Sequence, residues 1–133
     1  MSKWVDAGEN RVANILFGAQ AVDATLYLAL YTSPTSEPAE TAVVNDLTEP
    51  SGGAYARIAV SRGTWTVTAD AAAYAQQTFS ATGAAWGNVY GYFICTTSSG
   101  TAGILLAVEN FSDGPYSIGN GDSVAITPTI TVA

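Results

Sequence analysis

The chain has no histidine and a single cysteine, Cys95. The first absence removes Ser-His-Asp and Cys-His catalysis, most zinc sites and the usual proton shuttle near neutral pH. The second removes any intrachain disulfide, and Cys95 lies in an apolar run where a buried thiol is inert. Basic residues are scarce too: Lys3, Arg11, Arg57 and Arg62 stand against 11 acids, for a formal net charge of −7. A phosphate backbone is bound by clustered Lys and Arg that displace its counterions, so the balance argues against a nucleic-acid partner. Charged residues reach only 11% of the chain, well below the fraction usual in soluble domains. With Ala, Thr, Gly and Val so abundant, part of the surface is expected to be covered by something other than water.

Long uninterrupted apolar runs are also missing. No charge falls between Ala71 and Val108, but Gln76, Gln77, Thr78 and Asn88 break the segment, so it reads as buried strands and not as a membrane span. The N-terminal stretch is interrupted by Asp6, Glu9 and Arg11, which does not fit a secretory signal. No glycine-rich phosphate loop of the Walker or dinucleotide type occurs.

What is present is a strand pattern. The 133 residues fit one domain, 1–133, able to bury a core without metals or disulfides. An N-terminal helical arm is expected over 1–23. There Val12, Ile15, Leu16 and Ala19 follow helical spacing, Asp6 can cap the start and Gly18 can close the end. From Ala24 the period changes to two: "TLYLALYT" sets Leu26, Leu28 and Leu30 on one face, with Tyr27, Ala29 and Tyr31 on the other. The segment 33–54, with Glu37, Glu40, Asp46 and Glu49, reads as a long acidic loop, and such loops are commonly functional or partner-bound. Further strand candidates are "YARIAVS", "TWTVTA", "AAYA" with "QTFSA", "NVYGYFICT", "ILLAVENF" and "DSVAITPTITV", separated by turn residues. Pro128 marks an edge or bulge in the last. The expected fold is all-β: a single antiparallel β-sandwich or jelly roll with one short N-terminal helix.

The chemistry-bearing residues are few. Dispersed acids, with Glu109 late in a strand, do not form the paired carboxylates of a glycosidase. Asp113, Asn120 and Asp122 offer oxygen ligands hard enough for calcium, but in no EF-hand spacing, and Asp-Gly and Asn-Gly are ordinary turn formers. No metal or other cofactor is assigned. In "NVYGYFIC" the alternation puts Tyr90, Tyr92 and Ile94 on one face, with Val89, Gly91, Phe93 and Cys95 on the other. Both faces are apolar, which suits a central strand or a contact with another subunit more than a sugar platform. Trp4, Tyr55, Arg57, Tyr90 and Tyr92 are the candidate interface residues, Arg57 as an ion-pair anchor with a solvated edge arginine as the alternative. Gly83 and Gly87 are expected to bracket a corner that turns Trp86 into the core. Gly91 is expected to mark a bulge or the close approach of another backbone.

Taken in order, "LYLALYT", the acidic loop, "EPSGGAYARIAV", "QTFSATGAAWGNVYGYFI", "GILLAVENF" and "IGNGDSVAIT" resemble small structural proteins of tailed bacteriophages. The most specific pieces are Gly52-Gly53-x-Tyr55-x-Arg57, Trp86-Gly87-x-Val89 and Gly121-Asp122. The resemblance, which runs from about Leu26 to the end, implies an all-β virion protein without enzymatic activity. It implies a protein often trimeric, built into the particle in the host bacterial cytoplasm. Its partners would be copies of itself and the major capsid protein or other virion proteins. A head decoration (cement) protein is the first expectation, since an acidic, charge-poor surface suits the outside of a shell whose DNA lies within. A tail-fibre, baseplate or collar component, with receptor or glycan binding through exposed aromatics, is the alternative.

Overall fold

The structure, a computed structural model, describes residues 2–131. Along the chain run β1 (Lys3–Trp4), the helix α1 (Asp6–Phe17), β2 (Thr25–Tyr31), a 3-10 turn (Val44–Asp46), β3 (Ile58–Ser61) and β4 (Thr66–Thr68). There follow β5 (Ala71–Ala73), β6 (Gln77–Ser80), β7 (Gly87–Val89), β8 (Gly91–Cys95), β9 (Leu105–Asn110), β10 (Tyr116–Ile118), β11 (Ser123–Ile126) and β12 (Thr129–Thr131). The all-β expectation holds, and every strand pairing is antiparallel. Among the described residues the strands form four hydrogen-bonded sheets. The central one is five-stranded, in the order β1-β9-β8-β2-β3; β10-β7 and β11-β6 are ribbons, and β12-β5-β4 is three-stranded.

The alternation in β2 explains the layering. Leu28 and Leu30 face the main core, with Leu26 packed at its border, and meet Ile94 and Tyr92 of β8 in register. The smaller sheets supply the opposite side of this core through Phe79, Trp86, Val89, Ile118, Val124 and Ile126. On the reverse face Ala29 and Tyr31 join Phe93, Cys95 and Val108 in a second cluster. Each fully buried Leu, Ile or Phe contributes about 1.5–3 kcal/mol through loss of apolar surface to water.

Residues 33–54 cover that reverse face, where Ala42, Val44 and Leu47 are buried in the second cluster. The base of the excursion is closed by the Thr32 N–H donating to the Thr48 carbonyl at 2.6 Å and the Thr48 N–H to the Ser33 carbonyl at 3.0 Å. Its apolar residues thus cover its own sheet, because β2 and β8 are apolar on both faces and need a second cover.

Two strand readings change. "NVYGYFICT" is two strands: β7 pairs with β10, whereas β8 pairs with β2 and β9. The break at Tyr90 shifts the parity, so Val89 and Tyr92 face the main core while Tyr90 packs on the second cluster. The last strand is likewise divided at the buried Pro128, whose carbonyl accepts from the Tyr74 N–H at 3.0 Å. Before it β11 pairs with β6, and after it β12 pairs with β5; the missing N–H suits a point where the chain changes partners.

The helix forms where expected, but Val5 is its N-cap and Asp6 its first residue, with no side-chain cap. It is fixed to β9 at its start. The Val5 N–H donates to the Leu106 carbonyl at 3.1 Å, and a Cβ at Gly8 would overlap that same Leu106 backbone. Gly18 follows the helix with φ −103, so no left-handed turn closes it. Of the apolar stripe only Val12 and Ile15 are half-buried; Leu16 and Ala19 are exposed. The stripe therefore does not dock fully on a sheet, and it opens onto a cavity described below.

Candidate functional site

Two features stand out among the described residues: a buried clasp assembled from the Gly52–Arg57 segment, and an open apolar cavity beside α1. The clasp begins with Gly52, Gly53 and Ala54, whose φ values of 74, 55 and 60° lie in the left-handed region, favoured by glycine. This tight turn brings the Gly52 carbonyl to the Trp86 indole N–H, which donates to it at 3.1 Å. Gly53 lies so close to the Trp86 ring that no side chain would fit. Trp86 is only 8% exposed. Tyr55 meets it edge-on at 5.6 Å and stacks on Phe79 at 6.1 Å.

From there the side chains turn polar in an ordered way. The Tyr55 hydroxyl donates to Glu49 Oε1 at 2.7 Å and accepts from the Leu30 N–H at 3.0 Å. Glu49 in turn receives Arg57 in bidentate fashion, Nε to Oε1 at 2.9 Å and Nη2 to Oε2 at 2.7 Å. The remaining guanidinium donors reach the Thr97 carbonyl at 2.8 Å, the Gly100 carbonyl at 2.6 Å and the Cys95 sulfur at 3.2 Å. The cation also lies over the Phe93 ring at 5.6 Å. One arginine thus ties the acidic loop to the end of β8 and the turn after it.

The electrostatics suit a fixed link and not an acid-base centre. The hydrogen bonds that Arg57 donates to Glu49, above all, hold the Arg57 pKa above its ordinary value. Burial pushes the Tyr55 hydroxyl well above the usual phenol range and raises the Cys95 thiol, which leaves that sulfur a thiol at neutral pH.

The five residues expected at an interface do not share one outer surface. The Arg57 side chain is 2% exposed and Tyr92 is buried at 3%, so neither offers a group to a neighbour; both are structural, because the fold closes over them. Tyr55 is enclosed by the clasp. Tyr90 is half-buried on the second cluster. Trp4, half-buried, donates its indole N–H to the Thr131 carbonyl at 3.2 Å and lines the cavity. Gly87 takes φ 77 directly after Trp86. Gly91 sits where a Cβ would overlap the Glu109 carbonyl and the Tyr31 hydroxyl, which is a close approach of backbone; the irregularity of the β8–β9 pairing falls at Ile94 and Cys95. The oxygens weighed for calcium serve turns: Asn120 accepts from the Gly83 N–H at 2.9 Å, Asp122 from the Gly119 N–H at 2.8 Å, and Asp113 from the Tyr116 hydroxyl.

The cavity, of about 480 Å³, lies between α1 and the β4–β5–β12 sheet. Val12, Ile15, Val22, Leu26, Trp65 and Val67 form its walls. Arg11 and Asp23 pair across 2.6 Å beside it, and Arg62 also borders it. The Trp65 indole N–H is buried without a hydrogen-bond acceptor among the described residues. Neither Glu49 nor Trp65 is singled out by sequence pattern. A lone Glu eight positions before an arginine at the start of a strand pattern is a weak signal, and Trp65 follows a turn where its side can be assigned only once the sheets are known.

These features define an all-β structural domain, organised by loop-to-strand ties. The family model for podophage GP4 fiber I protein gp80 matches residues 3–132. The chain belongs to that family and is a phage virion structural protein of tail-fibre-like type. No curated protein matches it.

Proposed function

We propose that the protein is a non-enzymatic structural subunit of a podophage fibre, held in the virion by contacts with other virion proteins. The observation that carries this reading is the near-complete match to the fiber I family. The clasp supports it, since its polar groups are consumed in holding loops to strands. The reading calls for no cofactor, and the net charge of −7 suits a component that works outside the packaged DNA. The test is quantitative mass spectrometry of purified particles, with a tagged copy located by electron microscopy. Few copies confined to the tail region are expected. Many copies spread over the head would refute the fibre assignment and restore the head-decoration alternative, which the same acidic, charge-poor surface favours.

A further inference from the structure

The cavity beside α1 is built into the fold. The helix that forms one wall is held at two points. Gly8 lies against the Leu106 backbone, where a Cβ would overlap. Arg11 grips Asp23 in bidentate fashion, Nε to Oδ2 at 2.9 Å and Nη2 to Oδ1 at 2.6 Å. Of the apolar side chains lining the space only Leu106 and Ile130 are buried; Val12, Ile15, Leu26 and Trp65 are half-buried, and Val22 and Val67 are exposed. The result is a hydrocarbon-walled space of about 480 Å³, within the range of about 300–1,000 Å³ common for small-molecule sites.

The charges on the lining narrow the occupant. Arg11 and Asp23 neutralise each other, while Lys3 and Arg57 are paired with Glu37 and Glu49 elsewhere. Arg62, which also lines the cavity, is exposed and makes no side-chain hydrogen bond or ion pair among the described residues. Its guanidinium is therefore the charge at this site that a ligand can meet. A hydroxyl-rich ligand such as a sugar would find few partners along these walls, and polar groups buried without partners are costly. A cationic ligand would meet the repulsion of Arg62, since Asp23 is already engaged. An apolar body carrying one anion is matched at both ends.

We infer that the cavity binds a single-chain anionic amphiphile of the fatty-acid class. Its hydrocarbon body lies between α1 and the β4–β5–β12 sheet, and its carboxylate accepts hydrogen bonds from Arg62. Removal of the chain from water against Val12, Ile15, Trp65 and Val67 supplies the driving force, and the charge-assisted hydrogen bond fixes the orientation. The inference rests on the cavity alone and is independent of the protein's place on the particle.

The test is methyl NMR of the purified chain titrated with decanoate below its micellar concentration. Decyltrimethylammonium serves as the probe of opposite charge, and acetate as the probe of the head group alone. Decanoate should shift the methyl signals of Val12, Ile15, Val22 and Val67 saturably, and acetate should leave them unmoved. Decyltrimethylammonium should bind at least ~10-fold more weakly than decanoate. Arg62→Gln, at an exposed position whose side chain ties nothing else, should fold as the wild type and bind decanoate at least ~5-fold more weakly. The absence of a saturable shift, shifts confined to other methyl groups, equal binding of the two chains, or an unchanged affinity in Arg62→Gln would each overturn the proposal. So would binding to phosphatidylglycerol vesicles without binding to free decanoate, which would make a membrane surface the partner instead.

Discussion

Substituting Glu49→Gln tests whether the clasp is a true buried ion pair. An exposed Arg–Glu pair contributes ~0–1 kcal/mol, since water and side-chain entropy offset the attraction. Here the Arg57 side chain is 2% exposed and that of Glu49 is 24% exposed. Glutamine keeps the shape and an acceptor for Tyr55, but it leaves a guanidinium that water cannot reach without its counter-charge. Breaking a buried pair in this way costs about 3–5 kcal/mol. The lower end applies, because Glu49 is partly hydrated and Arg57 retains the Thr97 and Gly100 carbonyls. The expected loss is thus ~3 kcal/mol, or a fall in melting temperature of roughly 12 °C for a chain of this length. Urea denaturation at neutral pH should show it as a lower midpoint with an unchanged slope. Arg57→Met should cost a similar amount, while the double variant should cost clearly less than the two together, since neither charge then remains unpaired. A loss below ~1 kcal/mol for Glu49→Gln, or a double variant that simply adds the two, would refute the buried-pair reasoning.

Trp86→Ala should destabilise by about 3–5 kcal/mol in the same assay. Trp86→Phe should cost less, chiefly the bond to the Gly52 carbonyl, so equal effects would mean that packing on Tyr55 contributes little. Gly91→Ala should abolish soluble folded protein, because its Cβ would meet the Glu109 backbone. Gly83→Ala, at φ 90 with open space around it, should cost only ~1–2 kcal/mol of backbone strain; a soluble, stable Gly91→Ala would contradict the close approach. Burial raises the Tyr31 hydroxyl to about 12 and Tyr55 and Tyr92 further still. The unfolded chain therefore loses these protons first, near pH ~10. Their stabilisation is complete below that point and falls as pH rises through it toward the folded values, by at most ~1.4 kcal/mol per pH unit for each tyrosine. Equal urea midpoints at about pH 9 and about pH 11 would contradict this.

The difference between what the sequence makes legible and what it hides follows from the range of each interaction. In β2 the alternation of Leu26, Leu28 and Leu30 with Tyr27, Ala29 and Tyr31 is readable because one unbroken strand divides two cores, and period two needs no knowledge of partners. The same counting fails at Tyr90, where the chain leaves the pairing of β7 with β10 for that of β8 with β2 and β9. A parity argument assumes a continuous strand, and nothing local to Tyr90 announces the change. The helix is readable as a helix, yet its spacing cannot reveal that of the stripe Val12, Ile15, Leu16 and Ala19 only the first two are half-buried while Phe17 projects 90% exposed. The motif Gly52-Gly53-x-Tyr55-x-Arg57 and the residue Trp86 are visible as separate pieces; their meeting depends on a contact spanning 34 positions.

The acidic loop carries the same lesson into function. Length and charge mark it as a segment that needs a partner, and its partner is its own sheet. Ala42, Val44 and Leu47 close the second core, and Glu49 supplies the carboxylate that lets Arg57 be buried at all. The apolar residues of the loop are thus consumed internally, while its acids Glu37, Glu40 and Asp46 stay exposed. Among the described residues the large exposed apolar side chains are Leu16 and Phe17 on α1, Val67 on β4, Val22 and Val43, and of these Val22 and Val67 line the cavity with Trp65. Strand β8, all five of whose residues are buried, is then an internal strand whose Tyr92 serves the main core and whose Phe93 and Cys95 serve the second.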